Sequence, residues 1–499
     1  MNVISSIIAT LSPEEKRNFI SHLKQKNKRN DTRNLALFKL LDTTERLKNP
    51  DIILYGKPAK GAYHALCKRL HDRLIDFIAA KSFDKESSEE METLKLLLAS
   101  RIFFEQKKYK TGLKTINKGL LKAQQHDQYS ILNEMYYTLI QHAHHLPDVL
   151  LSDIINDYTK NQQLLQQEER LNIFYATVQN ILQTREKDAT QAIIDDSLAQ
   201  FGFSADTMSY RSLYKIMEIS NIAANATMQH HVMLPFIEKV YQQISPQKET
   251  RLKHLFYHIQ ILYYVANSYF RNRNFTGSFT YLDSMHEKML LQQKKFYKRF
   301  YPQYILLRGL TLNYTDKPLD AIQTLECIDE RKYKDQLVYL LDIKLTLVVC
   351  YFQQYELKKA LRIFQEFYHS DHWYIEKTGI LWVLKKSLIE ILLHIELANI
   401  ELVSSRLTSF KKKYLPYLKK HQEHHILEFV KLITFIHMHP EKIPSEAFST
   451  MVNASFSLED TGQIDIFVMS FYAWLRSKID HRSIYETTLQ LIATRKNTI

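Results

Sequence analysis

The sequence predicts an all-α fold: a right-handed α-solenoid of helical hairpins preceded by a helical amino-terminal segment. The main evidence is a recurring spacing. A small or compact residue is followed by an aromatic residue or Leu three positions on, a second small residue nine further, and an apolar residue four beyond. Small residues at this spacing let two antiparallel helices approach closely, while the large residues fill the groove between them. The four occurrences are Ser100, Phe103, Gly112 and Ile116; Ala266, Tyr269, Ser278 and Leu282; Gly309, Leu312, Ala321 and Leu325; and Val348, Tyr351, Ala360 and Phe364.

Composition agrees with long helices and a reducing compartment. The 499 residues include only 9 Gly and 11 Pro, far below the average usage of about 7% and 5%. Three scattered cysteines offer no disulfide framework, which favours a cytoplasmic protein. No run approaches the roughly 18 apolar residues that suggest a membrane-spanning helix.

Residues 1–88 are predicted to form a basic helical segment. The apolar stretch from Val3 to Leu11 predicts a buried first helix, and Ser12-Pro13-Glu14-Glu15 is a capping box that starts the next. The stripe Tyr63, Leu66, Leu70, Leu74 and Phe77 predicts a further helix. The expected ranges in this region are a helix to about Gln25, a helix capped by Asp31 or Thr32 and running to Leu47, an extended connection from Ile52 to Tyr55, and a helix from Ala59 to Phe77 or beyond.

The basic excess is concentrated in this segment. Residues 1–85 contain 17 Lys and Arg against 9 Asp and Glu, so they carry +8 of the formal net charge of +13. Such a field favours an acidic partner, nucleic acid or an anionic surface, although it also serves solubility alone. The candidate nucleic-acid-binding residues cluster around the first inter-helix turn: Lys26, Lys28, Arg29 and Arg33.

Residues 89–439 are predicted to form the solenoid and residues 440–499 a helical cap. The repeat marker falls at Ala266, Gly309 and Val348, which gives a unit of about 40 residues, and three degenerate units are expected between 130 and 250. Pro440 and Pro444 mark a break before a final helical segment from about Ile464 to Thr494.

Two stretches resemble tetratricopeptide repeats: Tyr351–Phe364 (YFQQYELKKALRIF) and Phe103–Leu120 (FFEQKKYKTGLKTINKGL). The opening Leu11–Arg17 (LSPEEKR) and the run Ser409–Leu418 (SFKKKYLPYL) are similar to a group of uncharacterised bacterial proteins with a helical amino-terminal segment and degenerate tetratricopeptide-like repeats. The first helices lack the characteristic Trp of the family, and the repeats are uneven in length. The resemblance implies a protein-interaction role.

No pattern for catalysis or cofactor binding is present, so we expect no enzyme, no cofactor and no metal. The sequence lacks a Gly-rich phosphate loop and a Gly-x-Ser-x-Gly elbow. The clustered histidines are interpreted as packing, helix-end or solvated turn residues rather than metal ligands. These clusters are His64, Cys67 and His71; His142, His144 and His145; His369, Asp371 and His372; and His421, His424 and His425.

The leading functional prediction is a non-enzymatic scaffold that binds a protein or peptide segment on the concave face of the solenoid. The candidate face residues are Arg101, Gln260, Tyr264, Asn267, Arg308 and Gln353. The alternative is a nucleic-acid-binding regulator that uses the basic amino-terminal segment, with the repeats as a sensor or dimerisation module. A mixed cationic and aromatic stretch, Lys294 to Tyr301, fits either a single-stranded nucleic-acid site or an amphipathic helix with core aromatics and solvated lysines.

Overall fold

The computed structural model describes residues 3–11, 13–26, 33–43, 49–85, 89–147, 149–184, 254–421, 423–443, 445–455 and 466–493, with short stretches between 214 and 242. Throughout these ranges the secondary structure is helical and contains no strand, which confirms the all-α prediction. The chain divides into two compact units, Met1–Leu165 and Gln166–Ile499. The predicted boundaries after residues 88 and 439 stay predictions.

The first unit is built on an apolar core contributed by its early helices. Ile8, Phe19, Leu37 and Leu70 are buried together in it. The helices are α1 (Val3–Thr10), α2 (Pro13–Lys26), α3 (Arg33–Thr43), α4 (Pro50–Tyr55), α5 (Lys60–Lys85), α6 (Glu89–Glu105), α7 (Tyr109–Gln125) and α8 (Tyr129–His142), and α9 (Leu151–Thr184) continues into the second unit.

One local prediction in this unit is wrong: residues 52–55 belong to helix α4 instead of an extended connection. Asn49 adopts a left-handed conformation with φ of 50°, and Pro50 then supplies the first helical residue, whose missing N–H costs nothing there. The carboxylate of Asp51 accepts the backbone N–H of Ala59 at 3.0 Å and fixes the connection to α5. Asn49-Pro50 therefore starts a helix here.

The second unit contains the remaining described helices of eight residues or more. They are α10 (Leu255–Arg271), α11 (Phe275–Met289), α12 (Tyr297–Asn313), α13 (Pro318–Glu326), α14 (Leu337–Gln353), α15 (Leu357–Phe364), α16 (Asp371–Thr378), α17 (Ile380–Glu396), α18 (Ile400–Lys420), α19 (His424–Met438), α20 (Glu446–Ser455), α21 (Ile466–Asp480) and α22 (Ile484–Ala493).

These helices pack as neighbouring pairs. The pairs are α10 with α11, α12 with α13, α14 with α15, α17 with α18, and α21 with α22. The first helices of four successive pairs, α10, α12, α14 and α17, also pack against one another in that order. The small residues of the predicted spacing lie where the paired helices approach: Ala266, Ser278, Ala321, Val348 and Ala360 are completely buried.

The hairpin turns share one backbone device. After each first helix, a residue that is not glycine adopts the left-handed conformation, and the next N–H donates to the carbonyl five residues back, as in a Schellman motif. Asn274 donates to Tyr269 at 2.9 Å, and Glu356 donates to Tyr351 at 2.9 Å. The chain therefore makes tight hairpins despite its few glycines. The left-handed residues are Lys107, Arg273, Asp316, Tyr355 and Ala398.

No helix of the described ranges is long and apolar enough to cross a membrane.

Candidate functional site: a polar row on the first helices

Buried amide side chains recur in the second unit, in the last turns of α10, α12 and α14 and at Asn221. Asn221, Asn267 and Asn313 follow one another at intervals of 46 residues, and Gln353 comes 40 residues later. A fifth polar residue, Glu396, ends α17 a further 43 residues on. We call these five residues the polar row. Their spacing is a sequence signal that analysis of the small residues alone did not use.

Two neighbouring pairs within the polar row are joined by direct hydrogen bonds. Asn267 Nδ2 donates to Asn221 Oδ1 at 3.2 Å, and Asn313 Nδ2 donates to Gln353 Oε1 at 2.8 Å. Asn313 and Gln353 are each only 2% exposed. These hydrogen bonds offset part of the cost of burying the amides and join helices of neighbouring pairs.

Helix α21 contacts two residues of the polar row, Gln353 and Glu396, and also Tyr314, which follows a third member, Asn313. Gln353 Nε2 donates to Ser470 Oγ at 3.2 Å, and the Tyr314 hydroxyl, next to Asn313, lies 3.3 Å from the same oxygen. The indole Nε1 of Trp474 donates to Glu396 Oε1 at 2.6 Å, and Lys478 Nζ pairs with that oxygen at 2.6 Å.

Helix α22 adds a further contact. The Tyr485 hydroxyl donates to the backbone carbonyl of Asn313 at 2.8 Å. The final helical segment therefore reaches back along three pairs, since Asn313, Gln353 and Glu396 end α12, α14 and α17.

Two of the predicted face residues belong to the polar row, and the others lie elsewhere. Asn267 and Gln353 are members, whereas Gln260 on α10 is buried. Asn221 donates to the carbonyl of Tyr264 at 3.3 Å, and the ring of Tyr264 stacks on Tyr214. In the conformation described here, a partner could not reach Gln353 without displacing α21.

The predicted arginines are the more accessible face residues. Arg308 is half-buried, pairs with Asp283 at 2.7 Å and lies over the rings of Phe279 and Tyr304. Arg101, in the first unit, pairs with Glu134 at 2.5 Å and donates to Thr138 at 3.1 Å. Both guanidinium groups are therefore held in fixed orientations.

The candidate nucleic-acid residues of the amino-terminal segment are only partly covered by the description. Lys28 and Arg29 lie outside the described residues, as does the side chain of Lys26. Arg33 begins α3, is exposed, and places its guanidinium 4.9 Å from the ring centre of Tyr55.

The cationic and aromatic stretch near residue 296 combines core and surface features. Phe300 is buried, whereas Lys294, Lys295, Lys298 and Arg299 are exposed. The backbone is left-handed at three consecutive residues, Gln292, Gln293 and Lys294. The rings of Tyr297, Tyr301 and Tyr333 stack in series at 4.9 and 5.7 Å, with Lys294 near the first ring and Lys332 near the last.

The histidine and cysteine clusters do not form a metal site within the described ranges, where no group of three potential ligands is close enough to hold an ion. His369 stacks on Trp373 at 3.9 Å, and His142 stacks on Phe104 at 4.7 Å. Cys67, Cys327 and Cys350 are free thiols, and burial raises the pKa of Cys350 to about 12.

No protein-family model matches this sequence, and comparisons with curated proteins and with solved structures also gave no match.

Proposed function

We propose that this protein is a non-enzymatic interaction scaffold, a right-handed solenoid of degenerate tetratricopeptide-like hairpins that binds a protein segment on its concave face. The observation that carries the proposal is the polar row, with a helix seated across three successive pairs. Buried amides and a carboxylate on adjacent first helices offer directional hydrogen bonds to a bound segment, while the surrounding apolar side chains supply contact area.

The three free thiols and the absence of a membrane-spanning helix in the described ranges fit a cytoplasmic location for such a scaffold. The resemblance of Tyr351–Phe364 to tetratricopeptide repeats supports the same function, because stacked repeats present extended binding surfaces.

Site-specific photo-crosslinking in native cell extract tests this proposal. A photoreactive residue is placed at Arg308, on a first helix, and at Lys412, an exposed control position on the second helix α18. We expect one protein to form a reproducible adduct at position 308 and none at position 412. An absence of adducts at Arg308, or equal labelling at both positions, contradicts binding on the first-helix face.

A second candidate function, nucleic-acid binding, is favoured by exposed cations held against aromatic rings. Arg33 lies over Tyr55, and Lys294 and Lys332 flank the stacked tyrosines. Cations beside aromatic side chains suit phosphates and bases of single strands. The leading proposal is preferred because the polar row involves several successive pairs, whereas these cations lie at separate turns.

The salt dependence of binding decides this alternative. Fluorescence anisotropy with single-stranded DNA, duplex DNA and RNA is measured at low and near-physiological salt, because phosphate contacts release counterions and weaken steeply as salt rises. A fourfold change of Lys26, Lys28, Arg29 and Arg33 to Glu should abolish binding by the amino-terminal segment. Binding that is absent, or unchanged in this variant, rules out that segment as the reader.

A further inference from the structure

Helix α21 is held on the polar row by side-chain contacts that a separate helix could reproduce. Its anchors are Ser470, Trp474 and Lys478, at successive four-residue intervals, so that they lie along one face. Ser470 meets Gln353 at the end of α14, and Trp474 and Lys478 both meet Glu396 at the end of α17. Phe471, Tyr472 and Leu475 of the same helix are buried in the apolar core, so an equivalent helix would need apolar side chains beside these anchors.

Glu396 makes this site selective for a cation. Its side chain is 3% exposed, and it receives both the indole N–H of Trp474 and the ammonium of Lys478. A buried carboxylate that loses its counter-charge is strongly disfavoured. Any helix that replaces α21 must therefore bring a donor and a positive charge about one turn apart.

The side chain of Asn313, at the end of α12, has an acceptor that is not satisfied. Its Oδ1 is buried and meets no hydrogen-bond donor among the described residues, although its Nδ2 donates to Gln353. An unsatisfied buried acceptor costs roughly 1–3 kcal/mol.

We propose that α21 is an internal occupant of the partner site, and that the partner is an amphipathic helix carrying an aromatic N–H or O–H donor and a Lys or Arg one turn apart. This inference rests on the proposed scaffold function and specifies its site. The partner helix competes with α21 for Gln353 and Glu396, so the scaffold binds weakly until α21 is displaced. The observed affinity is then the intrinsic affinity reduced by the small fraction of molecules with an open site.

A labelled synthetic peptide with the sequence of Ile466–Ala493 tests the proposal on the full chain. Lys478→Glu in the full chain sets a negative charge against Glu396 and weakens the seating of α21. We expect this variant to bind the peptide at least about tenfold more tightly than wild type does, because the internal competitor is disabled. Lys442→Glu, an equal charge change at an exposed turn residue, is the matched control and should bind like wild type.

A second substitution establishes where the peptide binds. Glu396→Gln, added to the Lys478→Glu chain, should weaken peptide binding about tenfold because the peptide's own Lys478 loses its carboxylate. Circular dichroism and the melting temperature show whether each variant is folded, and amide hydrogen exchange shows whether opening is confined to α21 and α22. Equal peptide affinity in wild type and Lys478→Glu, or binding insensitive to Glu396→Gln in a folded variant, overturns the proposal.

The crosslinking experiment separates failure of this inference from failure of the scaffold function. With the photoreactive residue at Arg308, the Lys478→Glu chain should capture more partner than wild type. If both chains capture the partner equally, the scaffold function stands and internal occupancy by α21 is wrong. If neither forms an adduct while the peptide binds as expected, the occupied site is supported and the protein-scaffold function is contradicted.

Discussion

The carboxylate of Asp371 accepts hydrogen bonds from three side chains, and these contacts change its pKa. Asp371 opens α16 and receives Lys413 Nζ at 2.8 Å, the Tyr414 hydroxyl at 2.9 Å and Lys386 Nζ at 3.2 Å. Burial acts to raise the pKa of Asp371, but these hydrogen bonds and the charge of Lys386 outweigh it and lower that pKa to about 2.

Asp371→Asn should destabilise the protein by roughly 1–3 kcal/mol at pH 7, because Lys386 is then buried without its counter-charge. A carboxyl whose pKa is lowered on folding stabilises the protein above its unfolded pKa, and this stability is lost as pH falls through the folded value. Urea unfolding of both proteins should therefore give a difference that shrinks between about pH 4 and pH 2. A difference that is constant over this range contradicts the ion-pair account.

The pKa of Asp342 is shifted in the opposite direction from that of Asp371. Its Oδ1 accepts the indole N–H of Trp382 at 2.9 Å, but burial dominates and raises the pKa of Asp342 to about 6. The ionised form is therefore disfavoured in the folded protein, and stability is lost as pH rises from about 4 through 6. Asp342→Asn, which keeps the acceptor, should raise the unfolding free energy by roughly 1–3 kcal/mol at pH 8 and leave it unchanged at pH 3.5. No gain at pH 8 excludes this account.

The left-handed hairpin residues predict a stabilising substitution. Ala398 has φ of 54°, a conformation that costs residues other than glycine roughly 1–2 kcal/mol. Ala398→Gly should raise the unfolding free energy by about 1 kcal/mol, after the greater flexibility of glycine in the unfolded chain is allowed for. The same change at Ala447, exposed in helix α20, should instead lower stability, and chemical denaturation compares the two. If both substitutions change the unfolding free energy in the same direction, the account of Ala398 as a strained left-handed residue is wrong.

Most helices can be predicted from the sequence, because capping residues and the spacing of apolar residues are local signals. The capping box led to α2, and the stripe through Leu66, Leu70 and Leu74 led to α5 with those three residues buried. The residues around Asn49-Pro50 were misjudged because a left-handed Asn can precede a helix as well as follow one. The seating of α21 could not be predicted, since it depends on contacts across more than 100 residues, such as Gln353 with Ser470.

The hydrogen bond between Asn313 on α12 and Gln353 on α14 leads to a prediction about stability. Asn313→Ala leaves the buried amide of Gln353 without its donor, so each single alanine substitution should cost roughly 1–3 kcal/mol. The double variant should cost less than the sum, with a coupling of about 1 kcal/mol in a double-mutant cycle. Gln106→Ala, at an exposed turn position, serves as the control and should be close to neutral. Strict additivity of Asn313→Ala and Gln353→Ala would show that the two amides do not interact.

At the scale of the whole chain, the periodic residues have two separate roles. Small residues such as Ala266 and Ala360 allow the helices of a pair to approach, whereas the amides of the polar row join one pair to the next. The first period is predicted from the sequence, whereas Asn267 and Gln353 are predicted there as residues of a binding face and not as links between pairs. The remaining members were missed because a single Asn or Gln at the end of an apolar helix has the same local signature as a surface residue.

Amide hydrogen exchange of α21 in the full chain tests the central claim most directly, namely that this helix is seated on the polar row. We predict that α21 is protected in wild type like α17, and that Glu396→Gln accelerates exchange in α21 by about tenfold while α10 is unchanged, because Glu396 bonds to Trp474 and Lys478. Exchange of α21 in wild type at the rate of an unfolded peptide, or an acceleration spread evenly over α10 and α21, would contradict the account.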